Sequence, residues 1–363
     1  KNAAQAFQVR GSVVQVEAWP GGLIHDTFVV SADSSGQTER FILQRINQRV
    51  FANPAALMEN IERVTSHLRA KAHLSERSLM RSVVELVPAN DGASWSNLEG
   101  QAWRMFRFLE GTTSSSVVSE PDQATQIAQA FGQFLDVMSD FPSKPFNDVL
   151  PAYRDTQRYL DELWRARDED ALNRASCAHA EIGFIESKAL DAIALQVFRK
   201  SGQIPLRLIH GDTKPSNVLL DGHTGRPVAV IDLDTTRLGL LIDDMGDCIR
   251  ECLSSQPAHN DKSMRQHELA LIEAIVSGFL SELTLAPARE EMDMLVSAVK
   301  AIALELGARF LADFLMGDIY FTTVQPDENL VRARQQLRLA KRLASDEESV
   351  RAMVDRLVRG IAV

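Results

Sequence analysis

Cysteine is scarce in this chain: 363 residues carry three, Cys177, Cys248 and Cys252. An odd, sparse set makes no disulfide framework, so a reducing compartment is expected. Cys248 and Cys252 could share a helix face. No His or further Cys stands at ligand spacing, however, and they read as core residues. No apolar run reaches the roughly 18 residues that a membrane span needs. The opening stretch KNAAQAFQVRGSVVQVE has no signal-peptide core and no initiator Met stands first. A trimmed chain working in the cytoplasm is expected. Basic excess is also missing: 39 Lys and Arg face 49 Asp and Glu, a net charge of −10. Binding to nucleic acid through phosphate neutralisation is therefore not expected. There is no internal repeat and no low-complexity tract.

What is present suits a globular protein with large cores: 45% hydrophobic and 24% charged residues. The length points to two domains. SVVQVEAW (12–19), TFVVSA (27–32) and RFILQRI (40–46) read as strands, with DSSGQ (33–37) a hairpin turn. Asn53 and Pro54 read as the cap and first residue of a helix. RSVVELVPA and AWRMFRFLEG read as two more strands around the turn NDGAS. From about 112 the pattern is mainly helical, with helices expected over 265–283, 287–316 and 328–359. SDEES (345–349) reads as a capping box dividing the last of these in two. The expected fold class is α+β: a β-rich domain over 1–109 and a mainly helical one over 110–363.

One stretch breaks the helical half. HGDTKPSNVLL (210–220) and VAVIDLDT (228–235) place one Lys, one Asn and several Asp between apolar strings short enough to be strands. Phosphoryl transfer needs a carboxylate for the attacking hydroxyl, hard oxygen ligands for Mg²⁺ and positive charge near the γ-phosphate. Asp212 suits the first need, Asn217 and Asp232 the second, and Lys214 the third. Each alone could be a turn residue. The set at this spacing, after a strand-rich half, favours catalysis.

HGD…N…D resembles the catalytic and metal-binding loops of the protein-kinase-like superfamily, and Gly211 resembles its aminoglycoside phosphotransferase and choline kinase branch. GGLIHDTFVV, FILQRIN, HGDTK, IDLDT, DDMGDCIR and ELGARFLADFLMGDIYF, spanning residues 21–321, together resemble the N-acetylhexosamine 1-kinases. The resemblance implies a two-lobed kinase-like fold using ATP and Mg²⁺. The γ-phosphate would pass to the anomeric hydroxyl of an N-acetylhexosamine. Another small hydroxylated acceptor (an aminoglycoside, an amino alcohol, another sugar) or a non-catalytic nucleotide-binding pseudokinase are the alternatives. Asp212 is then the base, Lys214 contacts the transferred phosphate, and Asn217 and Asp232 hold Mg²⁺. Gly21, Gly22 and Thr27 belong to the loop over the nucleotide, where small residues let backbone N–H groups approach phosphates. Phe106, Phe108, Leu109 and Glu110 form the hinge that receives adenine. The pattern departs at Gln44, where relatives carry a Lys; Arg45 or Lys214 is expected to carry that charge instead. The partners implied are ATP and a small sugar, with the chain a monomer or homodimer.

Other polar residues have plainer readings. His210 reads as a loop anchor, Asp234 as salt-bridged, and Asp244 and Asp247 as caps for backbone groups. His25 is either a surface residue or a ligand contact. Leu306, Phe310 and Phe314 read as core. Glu305, Arg309 and Asp313 share one face of an otherwise apolar helix, so they face a wet cavity or are internally paired. By the resemblance Glu305, Arg309 and Tyr320 belong to the sugar pocket. An unbroken helix would separate Arg309 and Tyr320 by about 16 Å, so a break near Gly317-Asp318 is expected.

Overall fold

The computed structural model describes residues 1–19, 24–72, 82–142, 145–254 and 262–361. They form two compact units. One comprises Lys1–Ser114, Asp140–Pro151 and Val218–Arg237; the other comprises Ser115–Ser139, Ala152–Asn217 and Leu238–Val363.

The first unit is built on an antiparallel sheet. After a short helix α1 (Asn2–Gln5) come β1 (Ser12–Ala18), β2 (Asp26–Ser34) and β3 (Gln37–Arg45), then α2 (Pro54–Ala72), β4 (Trp95–Leu98) and β5 (Gln101–Arg107). The strand order is β1-β2-β3-β5-β4. The β2–β3 turn is made at Ser35 and Gly36, both at positive φ (56° and 82°), which suits the twist of a tight hairpin. Alternation buries Val30 and Ala32 of β2 and Phe41 and Leu43 of β3 against Met105, Val87 and Phe7. The Asn53 side chain accepts from Ala56 N (3.1 Å), and Pro54 opens α2. The helix buries Leu57, Ile61, Val64 and Leu68, three or four residues apart.

The fifth strand of this sheet is not RSVVELVPA. Its described residues, 82–89, meet β5 at one isolated bridge, Leu86 to Phe106, with Val87 N donating to Met105 O (2.8 Å) and Arg107 N to Glu85 O (2.9 Å); a second bridge joins Ala89 to Phe7, outside the sheet. The place is taken by β4, which turns into β5 at Glu99 and Gly100, again at positive φ (51° and 78°). WSNL has two apolar residues in four and gives little strand signal.

A second small sheet consists of β6 (Thr112–Thr113), β8 (Val218–Asp221) and β9 (Pro227–Val230). Its pairing explains why a segment from late in the chain belongs to the first unit.

The second unit is mainly helical: α3 (Pro121–Met138), α4 (Thr156–Glu169), α5 (His179–Ser187), α6 (Ala189–Lys200), α7 (Leu241–Ser254), α8 (Lys262–Glu282), α9 (Arg289–Asp293), α10 (Leu295–Met316) and α11 (Glu328–Ile361). Strand β7 (Arg207–Ile209) pairs with β10 (Arg237–Gly239). α10 packs against α4, α6, α7 and α11, so almost every face of it is buried. Of its expected core residues, Phe314 is fully buried and Leu306 and Phe310 half-buried. α11 runs unbroken through SDEES. Ser345 donates back to Lys341 O (3.2 Å) as a mid-helix serine does, and Glu347 pairs with Lys300 of α10 (2.6 Å), so neither acts as a cap. Among the described residues no helix is long and apolar enough to cross a membrane. The architecture is α+β and kinase-like.

Candidate active site

In the second unit, residues 210–217 leave β7 as a loop. Its backbone is gripped by α7: the Asp244 carboxylate accepts from His210 N (2.7 Å) and Gly211 N (2.8 Å), while Thr213 Oγ1 donates to Asp244 O (2.6 Å). Asp244 thus caps backbone groups and holds the loop. Gly211 has φ +83°, a left-handed conformation that a side chain would strain; this is why a glycine precedes Asp212. Its carbonyl accepts from Tyr153 Oη (2.9 Å). His210 is fully buried against the rings of Phe131 and Phe134, and its Nδ1 accepts from Asp212 N (3.3 Å), which makes it a loop anchor.

Three predicted site residues meet on this loop. Lys214 Nζ donates to Asp212 Oδ2 (2.6 Å). Asn217 Nδ2 donates to the Asp212 carbonyl (2.8 Å) and to Oδ2 (3.1 Å). One carboxylate oxygen is therefore neutralised and positioned. The other, Oδ1, has no hydrogen bond among the described residues, and the side chain is 23% exposed. Because Asn217 donates through nitrogen, its amide oxygen is left as a hard donor atom of the kind Mg²⁺ prefers.

Asp232, also predicted, lies in the first unit. It is exposed and in a left-handed conformation (φ 62°, ψ 60°) at the head of a short 3₁₀ turn, Leu233–Thr235. This turn packs on α2. Two residues on, Asp234 is salt-bridged as expected, but to an unforeseen partner. Arg104 of β5, only 2% exposed, donates from both terminal nitrogens to the two Asp234 oxygens (2.6 and 2.8 Å). His25 Nε2 lies 2.5 Å from Asp234 Oδ2, while its Nδ1 accepts from Asn47 N (3.0 Å); the ring proton therefore sits on Nε2. Burial would push the Asp234 carboxyl up, but Arg104 and His25 outweigh it and hold it well below the carboxylate range. His25 is a buried structural residue, neither a surface group nor ready to meet a ligand. An arginine alternating with Ala102 and Phe106 on one strand face was the available sequence signal, but it names no partner.

The described ones among the predicted nucleotide residues lie in this unit. Gly21 and Gly22 lie outside the described residues. Gln44 receives Arg104 Nε (2.9 Å) and donates to Thr27 Oγ1 (3.2 Å). Arg45, the next residue along the strand, points to the opposite face and is ion-paired with Asp26 at the surface. Phe106 sits under the Arg104 guanidinium (5.3 Å). Phe108 N is used by Arg40 O (3.1 Å), the Leu109 carbonyl accepts from Thr112 Oγ1 (2.7 Å), and Glu110 pairs with Arg40.

The charged face of α10 resolves into three environments. Glu305 is buried, accepting from Thr156 Oγ1 (2.6 Å) and Arg154 (3.3 Å). Asp313, 1% exposed, accepts from Ile319 N, Tyr320 N and Phe321 N (3.0, 2.8 and 2.9 Å) and from Asn329 Nδ2 (2.9 Å). α10 ends with Gly317 at φ +100°, the break that the Arg309–Tyr320 separation required. Asp313 then folds the following backbone over the helix end. Arg309 thereby lies against the rings of Tyr159 (4.7 Å), Phe321 (5.4 Å) and Tyr320 (5.8 Å). Its donors meet no acceptor among the described residues. The plain ion-pair ladder is thus absent: two members are internally paired and one is held only by aromatic faces.

Residues 15–275 match the sequence profile of the phosphotransferase enzyme family. The chain belongs to that family. Solved structures agree on the fold. An aminopropanol kinase associated with a microcompartment matches over 95% of this chain and 96% of its own, at 20% identity and TM-score 0.61. An aminoglycoside phosphotransferase from Alicyclobacillus acidocaldarius matches over 98% and 96%, at 18% identity and TM-score 0.59. A spectinomycin phosphotransferase in complex with ADP and spectinomycin matches over 92% and 94%, at 12% identity and TM-score 0.56. In this member of the phosphotransferase family, the third strand carries Gln44, and the buried charge beside it is Arg104.

Proposed function

We propose that the protein transfers the γ-phosphate of ATP to a hydroxyl of a small acceptor, with Asp212 as the acceptor-side base. The observation that carries this reading is the asymmetry of the Asp212 carboxylate. Oδ2 is fixed by Lys214 and Asn217, whereas Oδ1 has no hydrogen bond among the described residues and is available to a hydroxyl. Asp212 orients that hydroxyl and takes its proton as the bond to phosphorus forms; Lys214 sets positive charge beside the transferred group. The Asn217 amide oxygen and the Asp232 carboxylate are suited to Mg²⁺. When bound, Mg²⁺ neutralises charge on the phosphates. Thr27, Gln44, Phe106, Phe108 and Leu109 serve the nucleotide, Phe106 and the adjoining backbone on the adenine side. ADP in the related spectinomycin phosphotransferase supports the nucleotide assignment.

The acceptor is a sugar, in this reading an N-acetylhexosamine phosphorylated at its anomeric hydroxyl. Arg309 supports it: a guanidinium stacked on rings with open donors suits hydroxyl and amide oxygens, and the rings suit sugar C–H faces. The same charge favours a neutral acceptor at this point, while an aminoglycoside or amino alcohol is the alternative that the fold neighbours support. Glu305, with its oxygens engaged internally, supports the pocket from behind. Intact Asp212, Asn217 and Asp232 argue against a pseudokinase. A panel of neutral sugars and amino alcohols, assayed for ADP release with phosphorus NMR of the product, tests the reading. A preference for amino alcohols would overturn the sugar assignment.

A further inference from the structure

A buried cluster in the second unit has no part in the chemistry proposed above. Arg154 lies just before α4 with φ +62°, a conformation uncommon for a residue bearing a side chain. Its guanidinium, 9% exposed, reaches two helices at once: Asp247 of α7 at 2.9 Å and Glu305 of α10 at 3.3 Å. Thr156 Oγ1 occupies the second Glu305 oxygen, and Arg250 Nε lies 2.8 Å from Asp247. Burial pushes the Asp247 carboxyl up, but Arg154 and Arg250 overcome it and hold the group well below the carboxylate range. The neighbouring Tyr153 donates its hydroxyl to the Gly211 carbonyl, one residue before Asp212. Burial raises its pKa to about 12, so it stays a donor at ordinary pH.

These contacts add a polar connection between the loop and α10 to the direct packing of α7 on α10. Asp244 and Asp247 are one turn of α7 apart; the first grips the loop, the second grips Arg154. Glu305 and Arg309 are one turn of α10 apart; the first grips Arg154, the second lies against the rings of Tyr159, Tyr320 and Phe321. The left-handed backbone at Arg154 turns adjacent side chains to different targets, Tyr153 to the loop and Arg154 to both helices.

We propose that Tyr153 and Arg154 are positioning residues that lock the Asp212 loop to the acceptor helix α10, fixing Asp212 relative to Arg309. Their bonds run to the loop carbonyl and to the two helices. The assignment of α10 as the acceptor helix rests on the function proposed above; the mechanical link between loop and helix does not.

The test separates the two. Tyr153→Phe removes one hydroxyl and keeps the ring. Glu305→Gln removes a charge some distance from the loop. Hydrogen exchange of peptides covering 208–217 is measured in both, with peptides of α3 and α8 as internal controls. Exchange in the loop is expected to rise about fivefold or more in each variant, with the controls unchanged, because local opening loses its restraint. With an active acceptor, kcat is expected to fall about tenfold while the KM for ATP stays within about twofold, as for a misplaced catalytic group. The double variant is expected to be no worse than the poorer single one, since both break one connection. Arg154→Lys is expected to restore part of what Arg154→Met loses. If Glu305→Gln is too unstable to study, Tyr153→Phe carries the exchange reading alone. Unchanged loop exchange in folded variants, or additive losses in the double variant, overturns the positioning role. An inactive wild type would overturn the proposed function and leave the exchange result standing.

Discussion

The loop carrying Asp212 and the turn carrying Asp232 are held by opposite means. The first is gripped through its backbone: Asp244 takes two of its N–H groups, Tyr153 one of its carbonyls, and Asn217 closes it internally. The second is gripped through a side chain: Asp234 sits in a buried ion pair with Arg104, backed by His25 and Gln44. Backbone grips fix a conformation whatever the side chains between them, so they leave the side chains of Asp212 and Lys214 outside the hold. A side-chain ion pair fixes one point of the turn, beside the burial of Leu233 and the packing on α2.

That difference predicts unequal losses. Asp234→Ala strands the Arg104 guanidinium in the core and is expected to cost about 3–5 kcal/mol, the penalty for breaking a buried pair by removing one partner. Denaturant unfolding measures it; a loss below about 1 kcal/mol would show that the pair is relieved by water. Asp244→Ala orphans two buried N–H groups, at roughly 1–3 kcal/mol each if nothing replaces the carboxylate. Spread over two bonds, part of that can relax, so the total should fall short of the Asp234 loss in the same measurement. A larger loss would reverse the comparison.

Arg309→Ala is expected to leave both holds intact, because Arg309 makes no hydrogen bond among the described residues and lies against aromatic rings. It should raise the KM for a sugar acceptor about ten- to a hundredfold, from roughly 1.5–3 kcal/mol of charge-assisted bonding, with ATP binding unchanged. A normal melt with unaltered sugar KM would remove Arg309 from the pocket.

The smallest effect is the pH dependence of the Asp234 pair. Its folded pKa lies below the usual value of about 3.9, so its contribution is complete above that value and is lost as pH falls toward the folded pKa. The stability gap between wild type and Asp234→Asn should be flat above about pH 5 and shrink below about pH 4. A gap that narrows already between pH 7 and 6 would point to another group.

Short-range chemistry made much of this legible. Asn53-Pro54 marks a helix start, Ser35-Gly36 a hairpin and Gly317 a helix end, because each depends on residues next to one another. The grouping of Asp212, Lys214 and Asn217 was legible for the same reason: they lie within six residues. Arg104 and Asp234 are 130 residues apart and Tyr153 and Gly211 are 58 apart. No local pattern signals either, since a strand arginine and a helix-preceding tyrosine look like surface residues until register and packing place them. SDEES misled for a related reason. Capping chemistry was present, but Glu347 had a partner on α10 that local sequence does not show.

The central claim is that Asp212 performs the acceptor-side chemistry of phosphoryl transfer. Its most direct test is Asp212→Asn, compared with wild type for ATP-dependent phosphorylation of the best acceptor and for MgATP affinity by calorimetry. The substitution keeps the side chain's shape and removes the proton acceptor. Turnover is expected to fall about 10²–10⁴-fold, the range for a lost general base, with MgATP affinity within a few-fold. Retention of a tenth of the wild-type kcat would contradict the assignment.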